Sequence, residues 1–401
     1  MKIIVAMDSL KGCLSSREAG EAAAEGIRQV WPEAEVVVRP LADGGEGTVA
    51  ALAEGATERV TVTGPLGEPV ECEYGIIGPG NTPDRETQAD MTNPDTSLLA
   101  VIECSGACGL PLVPQQRRNP MYTTTYGLGE VISDAAAKGC RRFLIGLGGS
   151  ATNDGGAGML QALGYLLTDA EGNDIGYGAA GLMRLAAIKG PETGSVIATT
   201  ASEATRATQL LSQCTFRVAC DVTNPLCGPL GCSVVFGPQK GARTEDIPAM
   251  DEALRKYAEL IKEDPDTQGS GAAGGLGFAF RAVLGAELLP GSRLVIEETK
   301  LEEYIADADL VITGEGRLDA QTAMGKAPAA VAELARAHGV PTIALAGSVE
   351  ASEDILRKMG LTAWYGINDR AACDLATAMQ PETARRNIAE TAAIAVREMG
   401  L

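Results

Sequence analysis

Residues 2–40, KIIVAMDSLKGCLSSREAGEAAAEGIRQVWPEAEVVVRP, decide the fold. Lys2 to Asp8 is a short apolar strand run, and Ser15 with Glu18 forms an S-x-x-E capping box before a helical stretch that must stop at Trp31-Pro32. EVVVRP at 35–40 is a second strand run. Strand, helix and strand in this order make the βαβ unit of a parallel sheet, in which ligands bind beyond the carboxyl ends of the strands. Both ends carry unusual residues: Asp8-Ser9-Leu10-Lys11-Gly12 after the first, and Asp43-Gly44-Gly45-Glu46-Gly47-Thr48 after the second.

Moving outward, the pattern changes near Glu58, where RVTVTGPLGEPVECEYGII (59–77) alternates like an antiparallel hairpin around a Pro-Leu-Gly turn. The strand LLAVIEC (98–104), a helix near 128–138, the strand RFLIGL (142–147) and a glycine-rich loop at Gly148–Gly158 follow. Then come a hairpin-like YLLTDAEGNDI (165–175), the strand FRVACDV (216–222), an acidic helix ending near Glu263 and a second glycine-rich loop from Gly269. After Leu289 the βα rhythm returns with DADLVIT, VPTIALAG and LTAWYGI separated by helical stretches, the last starting near Glu382. The expected fold class is therefore α/β with two unlike domains. Residues 1–57 with 288–401 form a discontinuous Rossmann/flavodoxin-like parallel-sheet domain, and residues 58–287 an inserted mixed α/β domain. One internal echo, GGAGMLQALG (155–164) against GGLGFAFRAVLG (274–285), has two readings: a duplicated half, or a chance likeness between glycine-to-helix transitions.

Composition narrows the function. Of 401 residues, 53 are acidic and 33 basic, a formal charge of -20 that repels nucleic acid in the absence of any basic cluster. The opening residues lack the basic flank and cleavage site of a signal peptide, and no apolar run approaches membrane-spanning length, so a cytoplasmic protein without membrane association is expected. Ten cysteines show no C-x-x-C pair and read as buried apolar residues in a reducing compartment. The one histidine, His338, sits at a helix end before VPTIALAG, where it reads as a cap. Acid-base chemistry then falls to carboxylates, lysine or tyrosine.

Five segments mix glycines with ionisable residues: DSLKG, LADGGEGT, GLGGSATNDGG, CDVTNPLCGPLG running on to FGPQKGA, and ITGEGRLDAQTAMGK. Glycine lets backbone N–H groups approach phosphate, carboxylates can hold Mg²⁺, and lysines neutralise phosphate charge. The combination suits phosphoryl transfer. Singly, each has a bland explanation: Asp8 as a turn cap, Asn153-Asp154 as an ordinary loop, Asp221 with Asn224-Pro225 as a β-turn. No Walker loop is present, since Gly325-Lys326 is followed by Ala327. Gly269–Gly274 matches G-x-G-x-x-G, yet it follows the polar EDPDTQ and not a strand, so the dinucleotide reading lacks its context.

Across these strings, and GSGAAGGLG (269–277), the sequence resembles the bacterial glycerate kinase family, the type built from two unlike α/β domains and unrelated to the plant enzyme. Cys13 and Cys232 depart from the small residues usual there. The resemblance implies phosphorylation of D-glycerate by ATP with Mg²⁺, in a cleft between the two domains, with 2-phosphoglycerate the favoured product. Together with the chemistry of a hydroxy acid, it places Asp8, Ser9 and Lys11 with Asp43, Gly44, Gly45 and Glu46 on the Rossmann side. Glu315, Arg317 and Asp319 face them: Asp319 is the first choice for base or metal ligand, Asp8 the second metal ligand, Lys11 and Glu315 further catalytic candidates, and Arg317 an anion contact. Asn153, Asp154, Asp221, Asn224 and Lys240 are expected from the inserted domain, and Lys326 at a helix start faces phosphate.

Three other readings compete. A kinase for another small hydroxy acid would share these loops. A catalytically silent nucleotide- or metabolite-binding regulator is opposed by intact acidic residues in all five segments, and a dehydrogenase by the misplaced glycine motif. A homo-oligomer stays open.

Overall fold

The computed structural model describes residues 1–53, 55–78, 97–191, 211–369 and 374–400. Strands occur in the order β1 (Lys2–Met7), β2 (Glu35–Val38), β3 (Thr57–Thr63), β4 (Pro69–Ile77), β5 (Leu98–Glu103), β6 (Cys140–Gly146), β7 (Leu166–Thr168), β8 (Ala187–Lys189), β9 (Thr215–Ala219), β10 (Glu287–Leu289), β11 (Leu310–Leu318), β12 (Thr342–Val349) and β13 (Ala363–Gly366). The chain divides into two compact units, one of Met1–Asp43, Ala50–Leu52 and Pro290–Leu401, the other of Gly44–Val49 and Ala53–Leu289.

The first unit is a five-stranded sheet of order β13-β12-β11-β1-β2, all pairs parallel. Counted within the sheet this is 2-1-3-4-5, a doubly wound order whose switch point lies between β1 and β11. Its inner strands read as continuous apolar runs because both faces are covered. On one face Ile3, Val5 and Met7 pack with Ile27 of the helix Ser16–Val30 and Ile388 of the helix Pro381–Met399; on the other, Ala344 and Ala346 pack with Ala332 and Leu356. The expected capping box is present: Ser15 Oγ accepts from the Glu18 amide while the Glu18 carboxylate accepts from the Ser15 amide. The helix ends at Trp31, one residue before Pro32. At the crossing of the two long helices a Cβ on Gly26 would overlap the Ala389 carbonyl, so only glycine permits that backbone approach. His338 is the C-cap of the helix Ala327–Ala337, and its Nε2 lies 3.0 Å from Glu302 Oε1.

The second unit is built on a mixed six-stranded sheet, β10-β9-β6-β5-β4-β3, antiparallel from β3 to β5 and parallel from β5 to β10. A single apolar core joins Tyr74, Phe143, Phe216, Tyr257, Phe278 and Phe280. The two echoing segments meet in space: Gly156 and Gly275, both at positive φ, each begin a helix (Ala157–Ala162 and Leu276–Leu284), and the Gly155 amide donates to the Gly274 carbonyl at 3.0 Å. YLLTDAEGNDI folds back as a short hairpin-like turn: Asp169 Oδ1 accepts from the Glu171 and Asn173 amides, the Asp169 amide donates to the Asn173 carbonyl at 2.9 Å and the Ile175 amide to the Leu167 carbonyl at 3.3 Å, with a bridge from Thr168 to Asp174, while the ladder partner of β7 is the more distant β8. Gly269–Gly274 follows irregular chain, as its polar lead-in foretold.

Among the described residues nine cysteines are free thiols, and Cys373 lies outside them. Among those residues no helix is long and apolar enough to cross a membrane.

Candidate active site

In the first unit the switch point places Asp8 immediately after β1, its amide donating to the Gly314 carbonyl of β11 at 2.8 Å. Asp8 is 6% exposed, and its Oδ1 accepts the Ser9 amide at 2.6 Å. Burial pushes its carboxyl from the ordinary 3.8 up to about 7; the neighbouring Asp43 and Glu315 charges add to this, while the Ser9 amide and Lys11 oppose it. Lys11 Nζ lies 3.2 Å from Asp43 Oδ2. Four expected residues, Asp8, Lys11, Asp43 and Glu315, are thus within electrostatic reach of one another at the carboxyl end of the sheet.

Glu315, on β11, is 8% exposed and accepts the hydroxyl of the buried Thr322 at 2.7 Å. Its carboxyl is also raised, by burial first and then by Asp319 and Asp43, against the Thr322 hydrogen bond and the Lys326 charge. Asp319 caps the turn that follows β11, its Oδ1 accepting from the amides of Gln321 (2.8 Å) and Thr322 (3.2 Å). Lys326 stands at the N-cap of the helix Ala327–Ala337. Arg317 is apart from this cluster: it is exposed, and its Nε lies 3.5 Å from Glu350 Oε1. Arg317 shares the strand parity of Glu315, but it lies where β11 turns from buried to exposed, at Gly316 and Arg317.

Gly44, Gly45 and Glu46, expected on the Rossmann side, group instead with the second unit, which the chain enters directly after Asp43. The candidate residues of that unit divide into loop crests and internal braces. Glu46 and Asp221 are exposed, and Gly44 and Gly45 are packed against the loop after β6: a Cβ on Gly146 would overlap the Gly44 carbonyl oxygen, and one on Gly148 would lie 3.1 Å from Gly45 Cα. Asp154 is wholly buried, accepting from Thr125 N (2.9 Å), Thr125 Oγ1 (2.8 Å), Gly156 N (3.1 Å) and Gly158 N (3.3 Å). Burial raises its carboxyl in spite of those four donors. Asn153 Nδ2 donates to Ser233 Oγ at 2.9 Å, leaving its buried Oδ1 without a partner. Lys240, 3% exposed, donates to Ser150 Oγ (2.9 Å) and the Thr152 carbonyl (2.7 Å), and burial pulls its ammonium downward in pKa. Asn224 Nδ2 holds the Leu230 carbonyl at 2.8 Å. Thr125, Ser150, Thr322 and Glu103 were not singled out by the sequence; of these only Glu103, a carboxylate ending an apolar strand, carried a readable signal.

Residues 3–400 match the glycerate kinase family. The chain belongs to the glycerate kinase family. It is accordingly a phosphotransferase with glycerate kinase activity, for which family membership implies ATP use. It is 43% identical over 412 residues to the glycerate 2-kinase of Escherichia coli K12, covering all of both chains. It is likewise 43% identical over 375 residues to the glycerate kinase of Bacillus subtilis 168, covering 92% of this chain and 90% of that one. A candidate glycerate kinase 2 of Salmonella typhimurium LT2, known from a crystal structure, superposes with a TM-score of 0.83 at 43% identity, covering 100% of this chain and 98% of the other. The parallel five-stranded and mixed six-stranded sheets therefore belong to glycerate kinase architecture.

Proposed function

We propose that the enzyme transfers the γ-phosphoryl group of ATP to the 2-hydroxyl of D-glycerate, with Asp8 as general base. The observation that carries this is a buried carboxyl held near 7, at the switch point of a doubly wound sheet and within the field of two other acids. A base works best when its pKa lies near the operating pH, and Asp8 meets that condition. Asp319, whose Oδ1 is engaged in capping a turn, is better suited to holding a cation than to accepting a proton. The 2-position is favoured by the name of the E. coli relative, a glycerate 2-kinase.

The donor set fits Mg²⁺. Among the described residues no three His, Cys, Asp or Glu side chains form a ready metal cage, but Mg²⁺ ordinarily takes one or two carboxylates and completes its shell with waters and phosphate oxygens. Asp43 and Glu315 raise Asp8, and Asp319 and Asp43 raise Glu315, which marks a place where a cation relieves repulsion. With Asp8 reserved as the base, Asp319 would hold the ion together with waters and phosphate oxygens, and the ion when bound would neutralise charge on the transferring phosphoryl group. In the first unit, Lys11 and Lys326 supply fixed positive charge for phosphate or the glycerate carboxylate; in the second, the Gly44–Thr48 and Gly148–Gly158 loops carry backbone donors of the kind that bind phosphate. The free thiols fit a reducing cytoplasm, where ATP is available.

Incubation of the purified protein with ATP, Mg²⁺ and D-glycerate, followed by phosphorus NMR, tests the proposal. 2-Phosphoglycerate is expected; 3-phosphoglycerate would overturn the regiochemistry, and no product would overturn the assignment of substrate.

A further inference from the structure

We propose that Glu103 is a positioning residue of the phosphotransfer site, its carboxylate fixing the Gly44–Thr48 loop in the working conformation. The proposal rests on the reading above that this loop contributes to the site. Glu103 ends β5, and its Oε1 accepts two loop amides at once, Gly47 N at 3.1 Å and Val49 N at 2.9 Å. Burial raises this carboxyl, the Val49 and Gly47 amides oppose the rise, and the nearby Glu46 charge adds to it.

The loop's own geometry makes an external tie useful. Gly44 and Gly47 both bend the chain at positive φ, a conformation that confers freedom, not rigidity. Within the loop, Thr48 Oγ1 at 2.8 Å and the Thr48 amide at 3.4 Å both donate to the Gly45 carbonyl. Against that freedom stands a rigid floor: Glu103 pairs in register with Gly146 across the parallel β5–β6 ladder, and the chain after Gly146 packs under Gly44 and Gly45. Glu103 therefore links the loop to the carboxyl end of the β5–β6 ladder, where Glu103 pairs with Gly146, while the exposed Glu46 rides on the loop's crest. Glu103 touches no reacting atom; it sets where the loop's donors and Glu46 lie.

The test compares E103A and E103Q with wild type by steady-state kinetics and by amide hydrogen exchange. In Glu103→Ala the Gly47 and Val49 amides lose their acceptor, so kcat/KM with D-glycerate and ATP is expected to fall about tenfold or more, as for misplacement of a positioning element. Exchange at Gly47–Val49 should rise about tenfold in the same variant, with the rest of the β5–β6 region unchanged. In Glu103→Gln the amide oxygen still accepts both N–H groups, more weakly because the bonds are no longer charge-assisted, and kcat/KM should return to within roughly threefold of wild type. A folded E103A with wild-type kcat/KM overturns the proposal, as does an E103Q no better than E103A, which would assign the effect to charge. Unchanged exchange at Gly47–Val49 overturns it independently of the substrate, whereas a wild-type enzyme inert toward D-glycerate but showing the exchange response overturns only the functional reading.

Discussion

Replacing Asp8 by Asn should make the protein more stable and catalytically dead. The carboxyl is carried from 3.8 to about 7, chiefly by burial. Because the folded value lies above the unfolded one, the contribution of this group to stability is complete below pH 3.8 and is lost as pH rises through about 7. At roughly 1.4 kcal/mol per pH unit, the ionised form at alkaline pH destabilises the fold on the order of 4 kcal/mol. Asparagine keeps an Oδ1 to accept the Ser9 amide and carries no charge to desolvate. Urea denaturation at about pH 5 and about pH 8.5 should therefore show wild type losing stability with pH more steeply than D8N, the variant being the more stable at the higher pH by up to about 4 kcal/mol. Turnover should fall by at least about a hundredfold, the lower range for loss of a general base. Parallel pH profiles of stability in the two proteins would refute the burial argument, and near-normal turnover in D8N would remove Asp8 as the base.

Three further outcomes are expected. Asp319→Asn keeps the acceptor for the Gln321 and Thr322 amides, so its denaturation midpoint should stay close to wild type while the Mg²⁺ concentration needed for half-maximal rate rises about tenfold or more, measured by metal titration of activity. Asp154→Ala strips the acceptor from Thr125, Gly156 and Gly158 in a wholly buried site and should cost about 3 kcal/mol or more by urea denaturation. Gly26→Ala forces the crossing helices apart at Ala389; overpacking of about 1–3 kcal/mol should outweigh the roughly 1 kcal/mol gain in helix propensity, seen as a lower midpoint at constant m-value.

The first unit was legible because its signals are local. A capping box at Ser15, a proline stop at Pro32 and apolar runs bounded by Asp8 and Pro40 each specify an element without reference to distant chain, and all of them appear. The partner of β7 was not legible, since strand pairing across the Asp169 turn is decided by tertiary packing that three-residue strands do not encode. Among the candidate site residues, Asp8 and Asp43 were readable as carboxylates in the loops that follow β1 and β2, where a parallel sheet presents ligand-binding groups. The inward orientation of Lys240 and Asp154 was hidden, because polarity marks a side chain for hydrogen bonding without saying whether solvent or a glycine loop supplies the partner. The ion pair of Arg317 with Glu350, just after β12, was hidden for the same reason, since an arginine between two acids gives no sign of which distant carboxylate it meets.

The central position of β1 in its sheet has a consequence for biosynthesis. On one side β1 pairs with β2, which leaves the ribosome soon after it; on the other it pairs with β11, whose first residue is Leu310. At synthesis rates of roughly 5–20 residues per second, the nascent chain therefore carries an unpaired edge that is apolar from Ile3 to Met7 for about 15–50 seconds. Throughout that interval the intervening segment, which forms a core of its own, has time to fold. The nascent β1–β2 ribbon, with Ile3, Ile4 and Val5 awaiting partners, is thus the point at which a holding chaperone would act and at which aggregation during overexpression would begin.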